Sequence, residues 1–266
     1  MEPKKFSQID IHVPAQPNSL LDKALTVING DVEIKTLWRI TNVNAIDRLE
    51  MTDHGVVHFQ IVANIAVRLG RLLVKHQVKM SIVENYDLSN EHAELVILLA
   101  SLFHDLGMSI SREGHEGFSL FLANGILHRI LDFLSIEERT IVISEVLHAI
   151  ISHRSGGKPL TIEAGIVRVA DALDMSEGRS RIPYQAGKID IHSISAAAID
   201  RVEIAEGESK PIQINIWMNN MAGIFQVDEL LKQKLTGSGI EKYIIVSAYL
   251  NEAQGSKLVK VFDLFS

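Results

Sequence analysis

The stretch Leu95–Glu116, LVILLASLFHDLGMSISREGHE, constrains this chain most. Leu95, Leu98, Leu99, Leu102 and Phe103 recur at i, i+3, i+4, i+7 and i+8, the period of a helix with an apolar face. That face runs straight into His104 and Asp105. Burying an unpaired carboxylate is expensive, so Asp105 requires a cation, a metal or several hydrogen bonds. Leu106-Gly107 is expected to close the helix, glycine supplying the left-handed residue that ends many helices. A second pair, His115-Glu116, stands where the next apolar-periodic segment, Phe118 to Leu134, begins.

Other helices carry residues of the same kind. Short helices are expected over Asn18 to about Ile28 and over Val32 to Leu49, without evident chemistry. From His54 to about Val74 one face holds His58, Ile61, Val62, Ile65, Ala66 and Leu69, and His54 shares it four residues earlier. Asp53 reads as the N-cap of that helix. Lys75 to Asn90 reads as a polar connector. Ser135 with Glu138 forms a capping box for a helix to about Ser152. His153 continues its apolar face, whereas His148 lies on a more polar side with Ser144 and Ser152. In the helix Thr161 to Met175, Asp171 sits among Val169, Ala170 and Leu173, an odd place for a lone carboxylate.

His104-Asp105-Leu106-Gly107 behind an apolar helix resembles the signature of the HD phosphohydrolase superfamily. His58 followed by Val62 and Ala66 resembles that family's opening helix. Glu163-Ala164 with Val169-Ala170-Asp171-Ala172-Leu173-Asp174 resembles its closing helix, although Val169 replaces an aspartate of the pattern. The resemblance covers about His54 to Asp174 and implies four metal ligands: His58, His104, Asp105 and Asp171. Two imidazoles and two carboxylates suit a divalent transition ion such as Mn²⁺, Fe²⁺, Ni²⁺ or Zn²⁺. The short gap from Asp105 to His115 favours one ion over two.

Such an ion acidifies its water and polarises a phosphoryl oxygen, so the implied reaction is hydrolysis of a phosphate ester by metal-bound hydroxide. His115, Glu116 and His153 are the candidate catalytic residues, for substrate contact or proton transfer. The alternative for the first two is an exposed histidine beside a glutamate that only complements a helix dipole. Arg112, Arg154, Lys158 and Arg179 are candidates for charge neutralisation on the phosphoryl group; the loop around Arg154 and Lys158 also reads as a solvated turn. His54 reads as a neighbour of the ligands or a surface residue, His128 as surface. Asp174 supports the ligands, caps the helix, or pairs with Arg168 or Arg179. Gly156-Gly157-Lys158-Pro159 stands where cyclic-dinucleotide phosphodiesterases carry Gly-Tyr-Pro, and Met108–Gly114 where deoxynucleoside triphosphohydrolases carry a proline-rich segment, so neither substrate class carries over.

After Gly178 the period changes to alternation, with strands expected at Lys188–His192, Ile199–Ile204, Pro211–Met218, Tyr243–Leu250 and Leu258–Phe262, and a helix over Phe225–Leu235. The element order reads as roughly ferredoxin-like. The fold class expected is therefore mainly α, an HD-type helical domain over residues 1–182, followed by a smaller α+β domain with a mostly antiparallel sheet over 183–266, for assembly or capping.

The chain has no cysteine, which excludes disulfides, zinc–thiolate sites and cysteine nucleophiles. With no signal-like N-terminus and no apolar run of membrane-spanning length, the expected setting is the cytoplasm. Net charge −7 disfavours non-specific nucleic-acid binding. The expected partner is a small phosphorylated substrate, a nucleotide first, and the expected assembly is a homodimer. Two rivals belong to other classes: a nucleotide-binding regulatory or sensor module that keeps the site without turnover, and a di-iron oxygenase on the same fold.

Overall fold

The computed structural model describes residues 10–175, 191–252 and 255–263. Asn18 accepts from the amides of Leu20 and Leu21 and so starts α1 (Ser19–Gly30). Asp31 accepts from Ile34 N and starts α2 (Val32–Asn42), which runs on into a π turn at Val43–Arg48. There follow α3 (Val56–Lys75), α4 (Ser81–Tyr86), α5 (Asn90–Phe103), α6 (His115–Ile130), α7 (Ile136–Ser152) and α8 (Ile162–Leu173). The Ser135–Glu138 capping box of α7 is formed in both directions.

Every residue of α5 from Leu95 to Phe103 is buried. A helix apolar on all sides belongs inside a core, and α1, α3, α4, α7 and α8 surround this one. Each fully buried leucine contributes roughly 1.5–3 kcal/mol relative to an exposed one. The expected polar connector contains α4 instead. Its reason is long-range: the buried Glu163 carboxylate of α8 accepts from Ser81 N and Ile82 N at 3.2 and 3.0 Å, capping α4 from outside its own sequence.

The second half holds α9 (Ile191–Ala197), β1 (Ile199–Glu206), β2 (Ile212–Met218), a helical crossover ending in α10 (Lys232–Leu235), β3 (Ile244–Glu252) and β4 (Gly255–Phe262). The strand expected over Lys188–His192 falls partly outside the described residues, and Ile191 and His192 belong to α9. The sheet order is β1-β2-β3-β4, antiparallel at both outer pairs and parallel at the centre. This β-β-α-β-β order departs from the ferredoxin-like β-α-β-β-α-β unit, because among the described residues one crossover, between β2 and β3, carries the only parallel pair. The protein is thus mainly α, followed by a smaller mixed sheet in which antiparallel pairing predominates.

One apolar core includes Leu69 and Leu73 of α3, Ile166 and Val169 of α8, Leu231 and Leu235 of the crossover, and Ile214 and Val246 of the sheet. Among the described residues α3 alone has the length and composition to cross a bilayer. Half of it is buried, and it carries a histidine into the interior.

Candidate metal centre

Five helix ends meet at one point. Asp53 Oδ1 accepts from Gly55 N and His58 N at 3.0 and 3.3 Å, fixing the first turn of α3 with His58 inward. α5 ends at His104 and Asp105. Gly107 does not supply the left-handed residue expected of it, since its φ is not positive. It serves close approach instead: a Cβ there would lie 2.0 Å from His115 O and 2.6 Å from Ser119 N. Ser119 Oγ accepts from Gly107 N at 2.8 Å and donates to His104 O at 2.6 Å, clamping α6 onto the His-Asp turn. His115 opens α6, His153 follows α7, and Asp171 lies in the last turn of α8.

Asp105 is the hub. Its Oδ2 lies 3.7 Å from His58 Nε2, 3.5 Å from His104 Nε2 and 3.9 Å from His54 Nε2. Its Oδ1 faces His115 Nε2 at 2.9 Å and His153 Nε2 at 3.5 Å. Asp171 Oδ1 closes the first side, 3.5 Å from His58 and 3.7 Å from His104. Two groups result whose ligand atoms lie within 4.8 Å of one another: His58, His104 and Asp171, and His104, Asp105 and His153.

The ring protons decide what these groups can hold. His58 Nδ1 faces Asp174 Oδ2 at 2.6 Å, His104 Nδ1 faces Ser101 O at 2.9 Å, and His153 Nδ1 faces Ile150 O at 2.6 Å. His115 Nδ1 lies 2.9 Å from Arg112 O. The Nδ1 atoms of His58, His104 and His153 therefore donate, and their Nε2 atoms turn lone pairs inward; His115 Nδ1 also meets the Arg112 guanidinium at 3.1 Å, and its Nε2 faces Asp105. Yet His58 Nε2 and His104 Nε2 stand 3.2 Å apart, and His115 Nε2 and His153 Nε2 3.4 Å apart. The two lone pairs of His58 and His104 at 3.2 Å repel unless a cation lies between them, and with the carboxylates beside them the donor set fits divalent metal.

Electrostatics agree. Burial opposes the charge on Asp105, but His104 and the close His115 and His153 rings hold its pKa well below the usual carboxylate range. Asp171 is lowered likewise, against burial, by Lys234, His104 and His58. Burial would lower His104, and Asp105 and Asp171 outweigh it and raise its pKa. Burial keeps His153 below its ordinary value. Both carboxylates thus stay ionised, as ligands must.

The remaining expected residues divide. Glu116 stands at the rim, 3.6 Å from His115 Nδ1 and paired with Arg154 at 3.3 Å. Arg112 reaches within 3.1 Å of His115 Nδ1, Lys158 is exposed, and Arg179 lies outside the described residues. His54 is buried beside Asp105, His128 is exposed, and His148 accepts from Leu160 N at 2.9 Å in a structural role. Lys234 escaped the sequence reading, and Arg168 entered it only as a partner for Asp174. Lys234 of α10 pairs with Asp171 Oδ2. The buried Arg168 bonds the carbonyls of Arg154, Gly157 and Ser155 and, at 2.8 Å, Lys234 O. A charge inside the apolar run of α8 was the available signal for Arg168.

A family model described as the HD domain matches residues 55–176. The uncharacterized protein MJ1020 of Methanocaldococcus jannaschii is 44% identical over 217 residues, 81% of this chain and 84% of that protein. The chain belongs to the HD-domain family. That family is the HD metal-dependent phosphohydrolase superfamily. No solved structure matches this HD-domain protein. The HD match spans every helix end that carries a ligand-type side chain here.

Asp174 orients His58 and would make it a stronger donor to a bound metal. Asp174→Ala is expected to weaken binding of the ion at His58 by about 10–100-fold, read by competition with a metallochromic chelator, while circular dichroism stays that of the wild type.

Proposed function

We propose that this HD-domain protein is a phosphohydrolase that uses two divalent ions, rather than one, to hydrolyse a phosphate ester of a nucleotide or a related small molecule. The observation that carries the reading is the pair of converging imidazole couples on either side of Asp105, at 3.2 and 3.4 Å. His58, His104, Asp105 and Asp171 would hold one ion; Asp105, His115 and His153 would hold the other. Bound there, divalent ions would supply Lewis acidity toward a phosphoryl oxygen and toward water.

The chain's own residues divide the remaining work. Asp105, offering one oxygen to each side, sets the spacing. His115 and His153 act as ligands, since their Nε2 atoms point at Asp105 and not outward. Glu116 is the proton-handling residue at the rim. Burial works against its charge, but its position at the α6 N-terminus and Arg154 hold its pKa below the ordinary value. It therefore stays ionised and accepts a hydrogen bond from water or a substrate hydroxyl. The exposed Leu258 and Val261 on the edge strand β4 support a homodimer.

The test is elemental analysis after purification without added metal and after reconstitution, followed by phosphate release from a nucleotide panel with Mn²⁺. Two equivalents per chain with release, and a melting temperature that falls when a chelator strips the ions, are expected. No ion after reconstitution refutes the centre. Ions without release from any substrate move the reading to a sensor, or to an oxygenase if two irons are found and oxygen is consumed.

A further inference from the structure

The helical crossover of the sheet half sits directly on the metal centre. Gly165, Arg168 and Asp171, three apart on α8, all meet it. A Cβ on Gly165 would lie 2.1 Å from Ser238 O, so only glycine allows the approach. Arg168, almost fully buried, donates to Lys234 O at 2.8 Å and Gln233 O at 3.2 Å. The same guanidinium holds Arg154 O and Gly157 O in the loop behind His153. The backbone of Lys234 is thereby tied to the loop that follows a ligand. Its ammonium pairs with Asp171 Oδ2, while Asp171 Oδ1 faces His58 and His104.

We propose that Lys234 is the cation that binds the substrate's phosphoryl group at this centre, which makes α10 part of the active site. This rests on the phosphohydrolase reading above. The ammonium borders both ligand groups: it touches Asp171 of the first, and its charge bears on His153 of the second. A carboxylate shared with a divalent ion is a poorer partner for an ammonium, and the ion repels it. A phosphoryl group brings oxygens that satisfy the three ammonium donors. The four-carbon stem gives the head group room to move while Arg168 holds the main chain. Of the cations foreseen in the sequence, Arg154 pairs with Glu116 at the rim, Arg112 meets His115 Nδ1 and Lys158 is exposed, whereas Lys234 pairs with a carboxylate that also faces His58 and His104.

Inorganic phosphate is the probe. Wild type, Lys234→Met and Lys234→Arg are reconstituted with Mn²⁺; ions per chain are counted by elemental analysis and phosphate binding is measured by equilibrium dialysis. The Met variant is expected to keep the wild-type ion count and to bind phosphate at least about tenfold more weakly, the size of one charge-assisted hydrogen bond. The Arg variant is expected to recover to within about threefold, keeping the charge but losing the fit of a compact ammonium. Wild-type phosphate affinity in the Met variant, or loss of its ions, overturns the proposal and leaves Lys234 as a counter-charge for Asp171. A wild type that holds its ions yet binds no phosphate sinks the phosphohydrolase reading itself, and this assignment with it.

Discussion

Asp105→Asn is expected to remove both ions from the centre while the chain stays folded. The carboxylate of Asp105 sets Oδ2 3.5 Å from His104 Nε2 on one side and Oδ1 2.9 Å from His115 Nε2 on the other. Asparagine has nearly the same shape, so the core around it keeps its packing. It lacks the negative charge that faces five buried imidazoles, and its nitrogen offers no lone pair. Lewis acidity at a phosphoryl oxygen is worth several kcal/mol, and about 1.4 kcal/mol is a factor of ten. Phosphate release should fall by roughly a thousandfold or more. Elemental analysis beside circular dichroism checks this. A folded variant that retains two equivalents of metal would mean that Asp105 is not the shared ligand.

The second large effect is structural and reaches the same place. Gly107→Ala puts a methyl group 2.0 Å from His115 O and 2.6 Å from Ser119 N, both main-chain atoms that cannot rotate away. Either the His-Asp turn or the start of α6 must shift. Overpacking against backbone costs about 3 kcal/mol, and in a chain of this size about 1 kcal/mol moves the melting temperature by roughly 2–4 °C. A drop of about 6–12 °C is expected, with the His115 side of the centre losing its ion first. Gly125→Ala is the control: it lies in the same α6 with nothing within 4 Å of a Cβ, so it should be neutral or slightly stabilising. Scanning calorimetry of the two variants compares them. Equal melting temperatures would refute the close-packing account of Gly107.

The ligand-type residues were legible because each breaks a local rule. His58, Asp105, His153 and Asp171 stand on faces that are otherwise apolar, and polarity in such places needs a partner. The helical half was legible for the same reason, since its period is carried by residues three and four apart. What could not be read depends on contacts far along the chain. Lys234 is 63 residues from Asp171, in a helix whose lysines look like ordinary solvated ones. α4 owes its cap to Glu163, about eighty residues away. Gly107 was visible as a helix breaker, but its closeness to α6 is a tertiary fact. The parallel pairing of β2 and β3 was equally hidden, because alternation marks a strand and is silent about its neighbours.

The donors that fix the ring tautomers have a consequence for how this sequence tolerates drift. His104 and His153 each use the main-chain carbonyl three residues earlier, at Ser101 and Ile150. A carbonyl is present whatever side chain its residue bears. Neighbouring positions can therefore vary widely without changing which nitrogen those two rings present, since that choice is written in the backbone. His58 differs: its orientation depends on the carboxylate of Asp174. A library randomised around these three histidines should tolerate substitution beside His104 and His153 and reject it at Asp174.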